Sequence, residues 1–422
     1  MVKTPKYIPR ISDKLLKSLL ESTGAVLIEG AKWCGKTQSS LQKANSVVYL
    51  QDPDEGPGYL AMADTKPSLL LEGSPPLLID EWQMAPVIWD AVRFAVDKRS
   101  LMGQFILTGS ATPTDNEIAH SGTGRMARML MRPMSLYESE ESNGHVSLRE
   151  LFNGETKIEA KCNLKIEEIA NAICRGGWPA AVVTGKDSSR TAMNYVDAII
   201  NMDIQRVDGI EKDPERVRVL LQSLARNVST LATAQTIMGD MQVNETSITN
   251  KTLSSYLNAL RRLFVIEDVP AWQPSLRSKT AIRTSHKRQF VDPSIATAAM
   301  RTNAQGILRD FETFGFLFES LCTRDLRVYT QALDGGVFHY RDKSELEADL
   351  ILKLHDGRWA AVEVKLGMKQ IDEAAANLIK LSEKVNKEKM NSPSFLMVLT
   401  GGYVAYKRPD GVLVVPIGCL RD

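Results

Sequence analysis

The chain has 422 residues, of which 43% are hydrophobic and 24% charged, with a formal net charge of +1. That length supports two or three domains, each with its own core, and the composition excludes a disordered or fibrous chain. A net charge this close to zero excludes attraction of the whole molecule to nucleic acid, so any such contact has to come from a local patch.

In chain order, MVKTPKYIPRISDK lacks an apolar run of signal-peptide length, and no later run approaches the roughly 20 apolar residues of a spanning helix. From about residue 24 to 137 short apolar runs (AVLIEG, VVYL, PLLIDEW, QFILTGS, RMLMRPMSL) alternate with helical patterns after Lys36 and around Ile88 to Val96. That alternation predicts a parallel sheet layered between helices. Helical spacing dominates from Lys165 to about Asp268, with Leu253, Tyr256, Leu257, Leu260, Leu263 and Phe264 recurring at three and four. Beyond Lys287 strands return in RVYTQ, GVFHYRD, LEADLILKL and WAAVEVKLG, then a helix near Ile371 to Asn386, then SFLMVLTGG and VLVVPIG. The expected fold is α/β, divided into a parallel-sheet domain at 1–160, a helical middle at 161–275 and an α/β domain at 276–422. Cysteines 34, 162, 174, 322 and 419 form no CxxC pair and lie near no histidine cluster, which argues against structural zinc and a disulfide framework. The expectation is a cytoplasmic protein without a membrane segment.

The stretch GAKWCGKT, from Gly30 to Thr37, has the GxxxxGK[ST] outline of a phosphate loop after a strand. The glycines let backbone N–H groups turn inward around phosphates, Lys36 reaches the terminal phosphates, and Thr37 is placed to hold magnesium. Ala31, Lys32, Trp33 and Cys34 complete the loop, and Gln38 follows it. The bulky Trp33 does not break the cradle, because the cradle is made of backbone; Cys34, close to Lys36, is also a candidate nucleophile. PPLLIDEWQ then sets Asp80 and Glu81 at the C-terminal end of a strand, where ligands gather in open parallel sheets. Asp80 is expected to hold magnesium and Glu81 to orient or deprotonate the attacking water. In QFILTGSAT the hydroxyls of Thr108 and Ser110 end another strand, and SGTGRMARM delivers Arg125, with Arg128 three residues later, as arginine-finger candidates.

GAKWCGKT, LLIDEWQ, LTGSAT and GRMARMLMRPMSLYE, in that order, resemble the AAA-type ATPases of bacteria and archaea that carry a C-terminal domain of unknown function. The resemblance implies ATP and magnesium at Lys36, Thr37 and Asp80, hydrolysis through Glu81, a polar sensing role for Gln83, and a lid or effector domain behind. Because an arginine finger serves a neighbouring subunit, it also implies a homo-oligomer.

In the middle, TLATAQTIMGDM followed by SITNKTLSSYLNALRRLFVIEDVPAW resembles a winged helix, with Lys251, Arg261 and Arg262 on or near its second helix. SLRSKTAIRTSHKRQF adds Arg277, Lys279, Arg283, Lys287 and Arg288 without an acid, a run that neutralises phosphates or serves as a solvated linker. Farther on, Glu319 in FGFLFESLC, Asp349 in ELEAD and Glu363-Val364-Lys365 resemble the PD-(D/E)xK nuclease-like fold. That resemblance implies magnesium at Asp349 and Glu363, with Lys365 beside the attacking water. Two functions follow as expectations: ATP turnover coupled to DNA binding or processing, or an ATP-controlled switch acting on a protein partner with an inactive nuclease-like domain.

Overall fold

The computed structural model describes residues 7–111, 124–185, 189–207, 209–243, 248–274, 285–385 and 390–422. Of the basic run, Arg277, Lys279 and Arg283 lie outside the described residues.

Strands β1 (Ala25–Glu29), β2 (Ser46–Tyr49), β3 (Leu77–Asp80), β4 (Phe105–Gly109) and β5 (Met126–Leu130) form one parallel sheet in the order β2-β3-β4-β1-β5. The apolar runs AVLI, LLI and FIL suit strands covered on both faces, and these residues are all buried. Helices α1 (Ser12–Ser22), α2 (Lys36–Leu41), α3 (Gly56–Thr65) and α4 (Val87–Arg99) supply the cover. Strand alternation divides the sheet residues between two cores: Leu27, Ile79 and Leu107 pack with Trp82 and Trp89, and Val26, Ile28, Leu78 and Ile106 with Leu16. Because β4 runs between β1 and β3, the C-terminal ends of these three strands meet at one edge.

The next elements are β6 (Val146–Ser147), α5 (Leu148–Phe152), β7 (Ala160–Lys161), α6 (Ile166–Arg175), α7 (Pro179–Thr184), α8 (Ser189–Ala198), a π turn (Ile199–Asp203), α9 (Ile204–Arg206), α10 (Pro214–Arg226), α11 (Ala234–Val243) and α12 (Asn250–Arg262). Asp213 caps α10 by accepting from Glu215 N, ahead of a proline at the first helical position, and Thr249 caps α12 by accepting from Thr252 N. Past α12 the chain pairs antiparallel with a later segment, Ile266 opposite Phe290 and Val269 opposite Lys287.

Helices α13 (Pro293–Ala299), α14 (Ala304–Ile307) and α15 (Phe311–Gln331) lead into β8 (Gly335–Arg341), β9 (Glu347–Leu354), β10 (Trp359–Lys365), α16 (Ile371–Lys384), β11 (Leu396–Thr400), β12 (Val404–Lys407), β13 (Leu413–Pro416) and β14 (Leu420–Arg421). A seven-stranded sheet runs β7-β12-β13-β11-β10-β9-β8. In it β8, β9 and β10 form an antiparallel meander, and β11 returns parallel to β10 after α16. Among the described residues no helix is long and apolar enough to cross a membrane.

Three expectations are corrected. RVYTQ is not a strand but the end of the 21-residue helix α15, where Leu326 to Thr330 are all buried; a helix apolar on every side reads locally like a buried strand. The expected boundary at 160 cuts through pairing, since β7 joins β12 and β6 joins β14 in the C-terminal half. The boundary at 275 likewise falls inside one unit, because residues 266–269 pair with 287–290 and Ala271 bridges His339.

Candidate functional site

The loop after β1 is shaped by close backbone approach. A Cβ on Gly30 would lie 2.1 Å from the Met131 carbonyl oxygen, so the position accepts only glycine, and Gly35 takes φ +105° at the start of α2. Lys36 is buried, and its ammonium donates to the carbonyls of Gly30 (2.8 Å) and Ala31 (2.9 Å). Thr37 Oγ1 donates to Asp80 Oδ1 at 2.8 Å across the gap from β1 to β3. Thr108 on β4 donates to the same oxygen at 2.6 Å, and Gln51 donates to Oδ2 at 3.4 Å, so Asp80 is held from three directions.

Glu81 leaves β3 in a left-handed conformation (φ 56°, ψ 49°) that lifts its side chain off the strand. Its N–H donates to Thr108 Oγ1 at 3.2 Å, while Oε2 accepts from Ser110 Oγ at 2.7 Å and from Gln83 Nε2. Lys36, Thr37, Asp80, Glu81, Gln83 and Ser110 thus converge on one edge of the sheet.

Trp33 and Cys34 turn opposite ways. Cys34 is fully buried and donates its thiol to the Met131 carbonyl at 3.3 Å, which gives it a packing role rather than that of an exposed nucleophile. Trp33, at φ 65°, is 50% exposed and lies 5.6 Å from the ring of Tyr195 on α8. Lys32 pairs with Asp203 of the π turn at 2.5 Å. Two loop side chains therefore rest on the helical middle. Gln38 is exposed on α2.

The arginine candidates lie elsewhere. The Arg125 carbonyl accepts from Ala25 N at 3.3 Å, at the start of β1, while the loop follows its other end. Five residues of strand put roughly 16 Å between them. Its guanidinium pairs with Asp97 on α4. Arg128 lies 3.4 Å from Glu29 and 5.3 Å over the Trp89 ring. Arg125 is therefore remote from the phosphate loop of its own chain.

Sequence reasoning missed Arg10. Its buried guanidinium donates to Glu138 Oε1 (2.9 Å), to the Cys34 carbonyl (2.8 Å) and to the Arg132 carbonyl (2.8 Å), fixing the loop from below. Burial alone would lower its pKa, but the Glu138 carboxylate outweighs that and raises it. A lone arginine in YIPRIS carries no local pattern that marks this role.

A second constellation sits in the C-terminal sheet. Val362 faces Leu350, which sets Asp349 on β9 beside Glu363 on β10. Asp349 Oδ2 accepts from Val364 N at 2.9 Å and lies 3.5 Å from Lys365 Nζ, which itself sits 2.8 Å from Glu363 Oε2. Glu319 on α15 faces the cluster, and Lys287 Nζ reaches it at 2.7 Å and Asp349 Oδ1 at 3.4 Å. Glu347 is exposed at the start of β9 and pairs with Arg341, outside the cluster. Burial and the neighbouring Asp349 push Glu363 well up, and burial pushes Glu319 to about 7. Burial disfavours the charged form of Asp349, but the lysine ammoniums outweigh it and hold its carboxyl well below the usual range.

The nucleic-acid candidates are largely engaged within the chain. Lys287 is buried in the acidic cluster, which corrects its expected DNA contact. Arg288 pairs with Asp268 and donates to the Ala232 carbonyl, and the exposed Arg261 also pairs with Asp268 at 3.0 Å. Arg262 is half-buried in the last turn of α12.

Residues 22–140 match the family model described as an AAA domain. The N-terminal part of the chain is thus similar to AAA domains. Residues 166–306 and 314–420 match two models described as domains of unknown function (DUF8612 and DUF4143). Uncharacterized proteins of Mycobacterium tuberculosis and Mycobacterium bovis are each 22% identical over 359 residues, covering 83% of this chain and 72% of theirs. A Walker-type ATPase of Pyrococcus abyssi, among solved structures, has 16% identity and a TM-score of 0.45, covering 71% of this chain and 99% of its own.

Proposed function

We propose that the chain binds ATP at the loop from Gly30 to Thr37, hydrolyses it, and uses that turnover to set the state of its middle and C-terminal parts. What carries the reading is the meeting of Lys36, Thr37, Asp80 and Glu81 at one sheet edge inside the AAA-type segment. Among the described residues Lys36 is bound only to loop carbonyls, so its ammonium can pass to phosphate oxygens without breaking an ion pair. Thr37 and Asp80, two oxygen donors 2.8 Å apart, fit magnesium, which when bound neutralises phosphate charge. Glu81, held by Ser110 and Gln83, aligns the attacking water and accepts its proton.

The output we favour is a switch acting on a protein partner, supported by the internal pairing of Lys287, Arg288 and Arg261. The order α15, β8, β9, β10, α16, β11 supports a PD-(D/E)xK-like core. Helices α10 to α12 with the pairing at 266–269 support a winged helix, whose exposed Lys251 favours duplex DNA as the second reading. Arg125 can serve as a finger only toward another copy of the chain.

The test compares ATP turnover of wild type, Lys36→Ala and Glu81→Gln, with and without duplex DNA. Lys36→Ala is expected to lose turnover, and Glu81→Gln to bind ATP yet turn it over about a hundredfold more slowly. Normal hydrolysis by Lys36→Ala would overturn the loop assignment. Stimulation by DNA would replace the switch reading with the DNA reading.

A further inference from the structure

The resemblance of the C-terminal domain to metal-dependent nucleases asks Asp349 and Glu363 to hold a divalent cation, and the side chains present do not fit one. A hard cation is bound through six or more oxygens, several of them on the protein. Here most of those oxygens are already committed. Asp349 Oδ2 accepts from Val364 N at 2.9 Å and faces Lys365 at 3.5 Å, and Asp349 Oδ1 faces Lys287 at 3.4 Å. Glu319 Oε1 is taken by Lys287 at 2.7 Å, and Glu363 Oε2 by Lys365 at 2.8 Å. Lys287 Nζ also lies 3.3 Å from the Asp349 carbonyl oxygen. Three carboxylates thus meet two ammoniums in a space where Lys287 is only 8% exposed.

Two observations separate this from an ordinary surface ion-pair cluster. Lys287 reaches the cluster from the segment paired with Val269, a part of the chain outside the α15-to-β11 unit that supplies the carboxylates. Glu363, 3% exposed, keeps Oε1 buried without a hydrogen-bond partner among the described residues. The Lys287 ammonium lies between the two other acids, Glu319 and Asp349.

We propose that the Lys287 ammonium is the resident cation of the Glu319–Asp349–Glu363 cluster, so that the wild-type domain takes no divalent metal there and removing the lysine charge creates a divalent-cation site. Repulsion supplies the exclusion: a doubly charged ion would have to settle beside two ammoniums already in contact with its ligands. With Lys287 replaced by an uncharged chain, Glu319 Oε1 and Asp349 Oδ1 are released beside Glu363. This inference is independent of the ATP reading, because none of its residues belongs to the phosphate loop.

The experiment titrates Mn²⁺ into nucleotide-free, full-length protein, counting bound ions by electron paramagnetic resonance and following thermal unfolding. Four proteins are compared: wild type, Asp349→Asn, Lys287→Met and Lys287→Met/Asp349→Asn. Wild type and Asp349→Asn are expected to bind Mn²⁺ identically. Lys287→Met is expected to gain one site, to regain thermal stability with Mn²⁺, and to lose the gain, about tenfold or more in affinity, when Asp349→Asn is added. Binding in wild type that Asp349→Asn abolishes overturns the proposal. So does a folded Lys287→Met that gains no site. Should Lys287→Met fail to fold, Lys287→Gln takes its place, and the comparison of wild type with Asp349→Asn still decides whether the native cluster takes metal.

Discussion

Replacing Thr108 by valine removes one hydroxyl from the centre of the N-terminal sheet and changes little else, because the two side chains have nearly the same shape. In the native chain that hydroxyl donates to Asp80 Oδ1 at 2.6 Å and accepts from Glu81 N at 3.2 Å, at a fully buried position. A hydrogen bond to an ionised acceptor contributes about 1.5–3 kcal/mol, and a donor left unpaired costs about 1 kcal/mol more where it is partly exposed. The sum, about 2–4 kcal/mol, corresponds to a fall of roughly 5–15 °C in the melting temperature of a domain of this size. Turnover should fall further than stability implies, since Asp80 and Glu81 both lose their common anchor; a loss of about a hundredfold in kcat is about 2.7 kcal/mol. ATP affinity should stay within about threefold, because Thr108 touches neither Lys36 nor the loop. Phosphate release and thermal melts on Thr108→Val and Thr108→Ser measure both quantities, the serine serving as the control that keeps the hydroxyl. Wild-type kcat in a Thr108→Val protein with an unchanged melting temperature would refute the reasoning.

Gly30→Ala forces a Cβ to within 2.1 Å of the Met131 carbonyl and should weaken binding of a fluorescent ATP analogue by more than about tenfold, with the far-ultraviolet spectrum retained. Asp203→Asn removes the partner of Lys32 and should raise acrylamide quenching of Trp33; the other five tryptophans are at most 1% exposed, so the change reports this residue. Burial lowers the His339 pKa from 6.5 to about 4, and the neutral ring donates from Nε2 to the Ser285 carbonyl at 2.8 Å. The unfolded chain therefore binds the extra proton between those values, so stability is full above pH 6.5 and falls by about 3 kcal/mol as pH drops toward 4. His339→Gln should flatten that part of a denaturation-versus-pH profile.

The parts of this molecule that were legible in the sequence are those in which one short segment carries both its own structure and its own chemistry. GAKWCGKT, LLIDEW and FILTGS each contain a strand, the turn that ends it and the polar groups that the turn presents, so pattern and placement coincide. Asp349, Glu363 and Lys365 were legible for the same reason, through strand alternation. Residues whose role depends on where a distant segment arrives were not. Arg10 lies 128 residues from Glu138, and Lys287 lies 32 from Glu319 and 62 from Asp349. In a run of basic residues, nothing local marks the lysine that turns inward. The place of Arg125 likewise depends on distant pairing: β5 runs parallel to β1, which fixes Arg125 at the sheet edge opposite the phosphate loop.

The same long-range contacts tie the two constellations together. Met131 follows β5, donates to the Glu29 carbonyl at 2.7 Å and receives the Cys34 thiol, so its position follows the loop. The next residue, Arg132, donates to both oxygens of Glu267 and to Gln331 at the end of α15, while Arg327 of α15 lies 3.5 Å from the same Glu267. Glu267 N in turn donates to the Gln289 carbonyl at 3.0 Å, two residues from Lys287. A shift of the loop on binding phosphate would thus reach the segment that carries the resident ammonium through ion pairs and backbone hydrogen bonds alone. Helix α15, about 31 Å long at 1.5 Å per residue, provides a second route, with Gln331 against β5 at one end and Glu319 in the acidic cluster farther along. Both routes end at Lys287 and Glu319. The lysine that keeps metal out of the C-terminal cluster is therefore also the point at which the state of the phosphate loop would be felt.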